Sequence, residues 1–128
     1  MNMDLNDKQS RLGFLKSFSY AIAGIATALK SEKNMRFHFY SSIVVLLISY
    51  YFSITKMEWL LILFAIGGMF ALELVNTAIE RVVDLVTGEY HPYAKQAKDL
   101  AAGAVFIYAI LAVTIGIVIF LPYVLELF

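Results

Sequence analysis

Glu73-Leu74-Val75-Asn76-Thr77-Ala78-Ile79-Glu80-Arg81-Val82-Val83-Asp84 closes an apolar run that begins near Trp59. On a helix advancing about 100° per residue, Glu73, Asn76, Thr77, Glu80 and Asp84 fall within about 100° of arc and share one face. A carboxylate inside a membrane-type segment costs roughly 2.5–3.5 kcal/mol on insertion scales, so it is normally held by a partner or kept for a task. Three carboxylates and an amide on one stripe repel one another unless a cation sits among them. The bland alternative is a packing stripe in a helix bundle, with Arg81 neutralising a neighbouring acid.

Outward from this stretch, 128 residues with 61% hydrophobic content and a mean hydropathy of +0.76 predict one membrane-embedded unit, residues 1–128, without a second soluble domain. Ten basic and ten acidic residues balance, so net charge says nothing about nucleic acid, and no nucleic-acid partner is expected on other grounds. The absence of cysteine excludes a disulfide framework, a thiolate metal site and a cysteine nucleophile. Before Arg11 there is no apolar core with a small-residue cleavage site, so the spans themselves are expected to direct insertion.

The predicted fold class is an all-α membrane protein. Met1 to Ser10 are polar and are expected to fray or lie on the surface. Over residues 12–30, Leu15, Phe18, Ile22, Ile25 and Leu29 recur at three- and four-residue steps, with Lys16, Tyr20, Thr27 and Lys30 roughly opposite. That pattern predicts an amphipathic interfacial helix. Ser31 to Arg36 read as a polar hinge carrying Glu32, which taken alone is a solvated charge. Three transmembrane helices follow, over about 37–55, 59–79 and 100–125. His38 enters the first at its polar end and reads as a hydrogen-bonded interface histidine rather than a metal ligand. Lys56-Met57-Glu58 reads as a tight turn, and Gly67-Gly68 as a site of close helix packing. Val82 to Ala97 is predicted to be the sizeable loop, interrupted by Gly88 and Pro92.

With three spans, the N-terminal region and the Arg81–Asp99 stretch share one side. Nine of the ten Lys and Arg residues lie there, and only Lys56 lies opposite. The positive-inside rule makes that side cytoplasmic and puts the C-terminus outside the cell membrane. Glu73 lies 14 residues beyond Trp59, about 21 Å along the helix, so it sits short of the inner boundary with Glu80 near the interface.

Hard oxygen ligands with few imidazoles suit Mg²⁺, which keeps waters and often bridges phosphates. Lys98 lies near a helix start, where anions are favoured, and a buried acid could take a proton from an alcohol. Together these are parts for phosphoryl transfer from a magnesium nucleotide to a lipid hydroxyl. The G-x-x-x-x-G-K-[ST] loop and the soluble-kinase motifs are absent. Residue pattern alone therefore stops at a magnesium- or proton-handling membrane protein, and a small ion- or proton-pathway subunit stays open.

The Glu73–Asp84 run, with Glu89-Tyr90-His91 and Ala97-Lys98-Asp99-Leu100-Ala101-Ala102-Gly103-Ala104-Val105 downstream, resembles the prokaryotic diacylglycerol kinase family of small integral-membrane lipid kinases. The likeness covers nearly the whole chain. It implies Glu73 as the catalytic base on the lipid hydroxyl, and Glu32 and Glu80 as Mg²⁺ ligands that bind ATP through the metal. It implies Asn76 beside the base, and Tyr20, Glu89, Tyr90, His91, Lys98 and Asp99 at nucleotide-contacting positions. It also implies a homotrimer with sites shared between subunits.

Two departures bear on the substrate. Gly13 stands where the diacylglycerol branch has a nucleotide-contacting arginine, with Arg11 nearby, and His38 stands where that branch has a carboxylate. The run Glu32-Lys33-Asn34-Met35-Arg36-Phe37-His38 is similar instead to the Gram-positive undecaprenol kinase branch. The expected substrate is therefore undecaprenol, giving undecaprenyl phosphate, with diacylglycerol as the alternative.

Overall fold

A computed structural model describes residues 2–128. It consists of four helices, α1 (Asn2–Ser31), α2 (Lys33–Tyr51), α3 (Lys56–Val86) and α4 (Pro92–Leu125), with no strand among the described residues. The chain is all-α, as its sequence predicts.

Several boundaries differ from the sequence reading, each for a local reason. α1 begins at Asn2 rather than Leu12, and its exposed first turns carry an Arg11–Asp7 ion pair at 3.0 Å, one turn apart. Met1 of the polar N-terminal stretch lies outside the described residues. The hinge narrows to Glu32, the one non-helical residue between α1 and α2 (φ −107°, ψ 119°). Arg36 closes the joint by donating to the carbonyls of Leu29 and Lys30, at 3.1 and 2.9 Å, which α1 leaves without helical partners.

Lys56-Met57-Glu58 is not a turn but the start of α3. Thr55 accepts from the Glu58 N–H while the Glu58 carboxylate accepts from the Thr55 N–H, a reciprocal capping box that starts the helix earlier. The reversal occupies Phe52 to Thr55, with Ser53 in the left-handed region at φ 50°. At its other end α3 runs through Val86, because nothing before Gly88 breaks it. The predicted Val82–Ala97 loop therefore shrinks to Thr87–His91. Pro92 then opens α4, where its missing N–H costs nothing, and His91 caps it by accepting from the Tyr93 N–H at 3.1 Å.

α3 is the axis of the molecule. Its buried residues Ile62, Ala65, Met69, Glu73 and Thr77 recur at three- and four-residue steps, so Glu73 and Thr77 of the polar stripe lie on its packed face. α4 packs along α3 most extensively, and α2 and α1 also touch it. Gly68 makes the α3–α4 approach possible: the Tyr108 side chain lies across it and donates to the Phe64 carbonyl, and a methyl group at Gly68 would overlap that ring. Gly67 meets nothing comparable.

At the Trp59 end, Ile54, Ile62 and Ile119 form a buried cluster with Phe52, Trp59, Phe120 and Tyr123 packed on it. The Tyr123 hydroxyl donates to Glu58 at 2.8 Å. α1, α3 and α4 are each long and apolar enough to cross a membrane; α2, with 19 residues, is not among them by length and composition. α3, at 31 residues, is about 46 Å long and outreaches a hydrocarbon core of roughly 30 Å.

Candidate active site at one end of α3

The site is built on the last four turns of α3, where the packed face changes from apolar to polar. Glu73 is 5% exposed. Its carboxylate Oε1 lies 3.3 Å from His38 Nε2, on α2. An ionised carboxylate can only accept, so with Glu73 in the form a base requires, Nε2 is the atom that must carry the hydrogen. Burial without such a donor would leave the carboxylate uncompensated, a costly state in a low-dielectric setting.

One turn on, Asn76 Nδ2 donates to Glu80 Oε1 at 3.2 Å, the i,i+4 spacing expected on one helix face. Asn76 Oδ1 is buried and has no hydrogen-bond partner among the described residues. An orphaned buried acceptor beside a carboxylate is suited to a cation or an external donor. Glu32 closes this region from the α1–α2 joint. Its Oε1 is 3.5 Å from Arg81 Nη2, which also donates to Ser31 Oγ at 2.7 Å.

α4 adds a basic group. Lys98 Nζ binds Asp84 Oδ1 at 2.6 Å. That hydrogen bond, with the charges of Asp84 and Glu80, holds the Lys98 ammonium above its ordinary value against the opposing cost of desolvation. Lys98 is thus a permanent cation at neutral pH that feels Glu80. Asp99 turns to Lys95 instead, at 2.5 Å, so Lys98 and Asp99 do not form a pair with each other. Glu89, Tyr90 and His91 occupy the exposed Thr87–His91 connection, and Tyr20 is exposed on α1. No hydrogen bond joins Tyr20 or Tyr90 to Glu73 or Glu80 among the described residues.

Beside the His38 end lies an open groove of about 410 Å³ between α2 and α4 over α3. Val45, Ile66, Phe70, Ala112, Gly116 and Phe120 give it an apolar wall, and His38, Ser41 and Ser42 lie toward its polar end. Among the described residues His38 is the one titratable side chain lining it.

Three contacts went unread in the sequence: His38 with Glu73, Arg81 with Glu32, and Asp84 with Lys98. A signal for the first was present. Phe52 and Trp59 pack on the same cluster; His38 lies 14 residues before Phe52 and Glu73 lies 14 after Trp59. Antiparallel helices of equal rise put the two side chains level.

An all-helical apolar bundle with a buried carboxylate and most of its charged side chains toward one end has the build of a small integral-membrane protein. Residues 19–120 match the family model described as prokaryotic diacylglycerol kinase. The chain is 46% identical over 121 residues to an undecaprenol kinase of Bacillus subtilis, covering 94% of this chain and 98% of that protein. It is 40% identical over 114 residues to a diacylglycerol kinase of Synechocystis, covering 88% of this chain and 65% of the relative. A diacylglycerol kinase of Haemophilus influenzae is 31% identical over 93 residues, 73% of this chain and 79% of the relative. The chain belongs to the prokaryotic diacylglycerol kinase family, and it is a membrane kinase.

Proposed function

We propose that the protein transfers the γ-phosphate of ATP to the hydroxyl of a membrane lipid alcohol, with undecaprenol the substrate and diacylglycerol the alternative. The observation that carries this reading is a buried carboxylate, Glu73, bonded to the one titratable residue, among those described, that lines an apolar groove. A hydrocarbon chain in that groove would bring a terminal hydroxyl to its polar end at His38, the residue bonded to the base. Undecaprenol is favoured by the likeness to the Bacillus undecaprenol kinase along nearly the full length of both chains and by the Glu32–His38 run.

In this mechanism Glu73 accepts the hydroxyl proton, and Asn76 holds Glu80 in place beside the phosphates. Lys98 supplies positive charge to the nucleotide. Among the described residues no three His, Asp or Glu side chains form a ready-made metal cage. Mg²⁺ needs only one or two carboxylates when waters and phosphates complete its shell. Glu80 and, beside it, the buried Asn76 Oδ1 that has no partner among the described residues are oxygen donors of the kind it takes, and Glu32, paired here with Arg81, would be the second carboxylate. When bound, the metal would neutralise phosphate charge.

α2, α3 and α4 cross the cell membrane and α1 lies in its cytoplasmic interface. This reading rests on two contacts. α2 runs beside α3 from His38–Glu73 to the Ile54–Ile62 cluster, so the two share one depth range despite the polar residues of α2. α1 meets α3 through Ala21–Ala28 and Leu74–Arg81, near one end only. With nine of ten basic residues on that side, a reporter fused at Phe128 should read extracytoplasmic. A cytoplasmic signal there overturns the three-span order. The working unit is a homotrimer with shared sites, for which the Ala101–Ala104 small-residue surface offers a close contact.

The deciding experiment offers undecaprenol and diacylglycerol in parallel to purified protein with radiolabelled ATP and Mg²⁺. Label in undecaprenyl phosphate is expected; label in neither lipid overturns the reading. In the same assay Lys98→Ala should raise KM for ATP more than KM for lipid, because the lost charge faces the polar substrate. An effect confined to lipid would assign Lys98 to the other half of the site.

A further inference from the structure

Glu73 presents a problem that a general base inside a membrane protein must solve. A carboxylate has two oxygens and rotates about its last bond, yet only one oxygen can face the substrate hydroxyl. On the same helix its neighbours are spent elsewhere, with Asn76 on Glu80 and Arg81 on Glu32 and Ser31. The hydrogen bond to Glu73 comes from another helix, from His38 Nε2 to Oε1 at 3.3 Å. The His38 side chain is 20% exposed and that of Glu73 6%, and the ring borders the groove that Glu73 itself does not line.

We infer that His38 is a positioning residue for Glu73, holding Oε1 through Nε2–H so that Oε2 takes the proton of the lipid alcohol. This rests on the lipid-kinase reading above. In the step it serves, the alcohol O–H breaks and its proton passes to Oε2. The alcohol oxygen bonds to the γ-phosphorus of ATP, and the bond from that phosphorus to the bridging oxygen breaks to release ADP. In this step His38 neither takes the proton nor forms or breaks a bond. It fixes the carboxylate's rotation, and by bordering the groove it ties the position of the base to the wall along which the lipid arrives. A hydrogen bond to a charged acceptor of this kind is worth about 10- to 100-fold in rate if it matters only when the base is aligned.

Four variants test this in wild-type and Glu73→Gln backgrounds, with undecaprenol and Mg·ATP. His38→Ala should lower kcat about 10- to 100-fold while KM for Mg·ATP stays within about twofold. His38→Gln, whose amide N–H reaches a similar point, should recover much of the loss. His38→Phe, which fills the space without a donor, should not. In the Glu73→Gln background His38→Ala should add no further loss, since the group it positions is already disabled. Recovery by Phe rather than Gln would make the role packing alone and overturn the inference. So would a loss that multiplies that of Glu73→Gln, or a His38→Ala enzyme equal to wild type. A wild-type protein that phosphorylates no lipid alcohol would instead overturn the kinase reading, and the inference with it. Thermal unfolding of each variant in detergent separates a folding failure, and the Gln–Phe contrast holds between variants that both fold.

Discussion

Glu73→Gln is expected to lose about two to four orders of magnitude in kcat with Mg·ATP binding largely kept. Glutamine preserves size and can still accept from His38 Nε2, so packing around this 5% exposed residue is retained. What disappears is the capacity to take a proton. A primary alcohol is a weak nucleophile, and general-base assistance typically contributes about 10²–10⁴-fold. Glu73→Asp should fall between, because shortening draws the carboxylate back by about one bond length while keeping its charge. Single-turnover assays with saturating Mg·ATP measure the loss directly. Near-normal turnover by a folded glutamine variant would remove Glu73 from the chemistry and return the stripe to packing.

The second large effect is expected at the phosphate side. Glu80→Gln and Glu32→Gln should each lower kcat/KM for Mg·ATP by about 10- to 100-fold and raise the Mg²⁺ concentration needed for half-maximal rate. Each removes a negative charge that Mg²⁺ would use, and Glu80→Gln also replaces the acceptor that Asn76 Nδ2 holds at 3.2 Å. The two variants separate in their side effects. Glu32 forms an ion pair with Arg81 at the α1–α2 joint, so Glu32→Gln should also loosen α1, whereas Glu80→Gln should not. A magnesium titration of the steady-state rate reads the shared effect. Wild-type magnesium dependence in both variants would disprove the ligand assignment.

What the sequence could reveal follows from which interactions are local. Gly68 was legible because a glycine in a long apolar helix has few uses besides close approach, and Tyr108 now supplies the neighbour. The shared face of Glu73, Asn76, Thr77 and Glu80 follows from helical periodicity, and the Asn76–Glu80 bond is its i,i+4 consequence. Helix ends were less legible. Lys56-Met57-Glu58 reads as a turn although Thr55 and Glu58 cap α3, and Val82 to Ala97 reads as a loop although polarity at a membrane boundary does not end a helix. Pairings across helices were the hardest. Lys98 meets Asp84 rather than Asp99 because the α3–α4 connection sets which turns are level. His38 and Glu73 are separated by 35 residues, and only counting outward from the Phe52–Trp59 cluster brings them together.

The far end of the molecule has a mechanical meaning for the reacting one. Ile54, Ile62 and Ile119, with the Tyr123–Glu58 bond, clamp α2, α3 and α4 where nothing reacts. From Glu58 to Glu73 is 15 residues, a lever arm of about 22 Å. A tilt of only about 3° about that fulcrum swings the carboxylate by about 1 Å, a misplacement on the scale that costs an enzyme about 10²-fold. The far-side cluster thus acts as the bearing on which the aim of the base depends. Its side chains set the tolerance of a site they never touch.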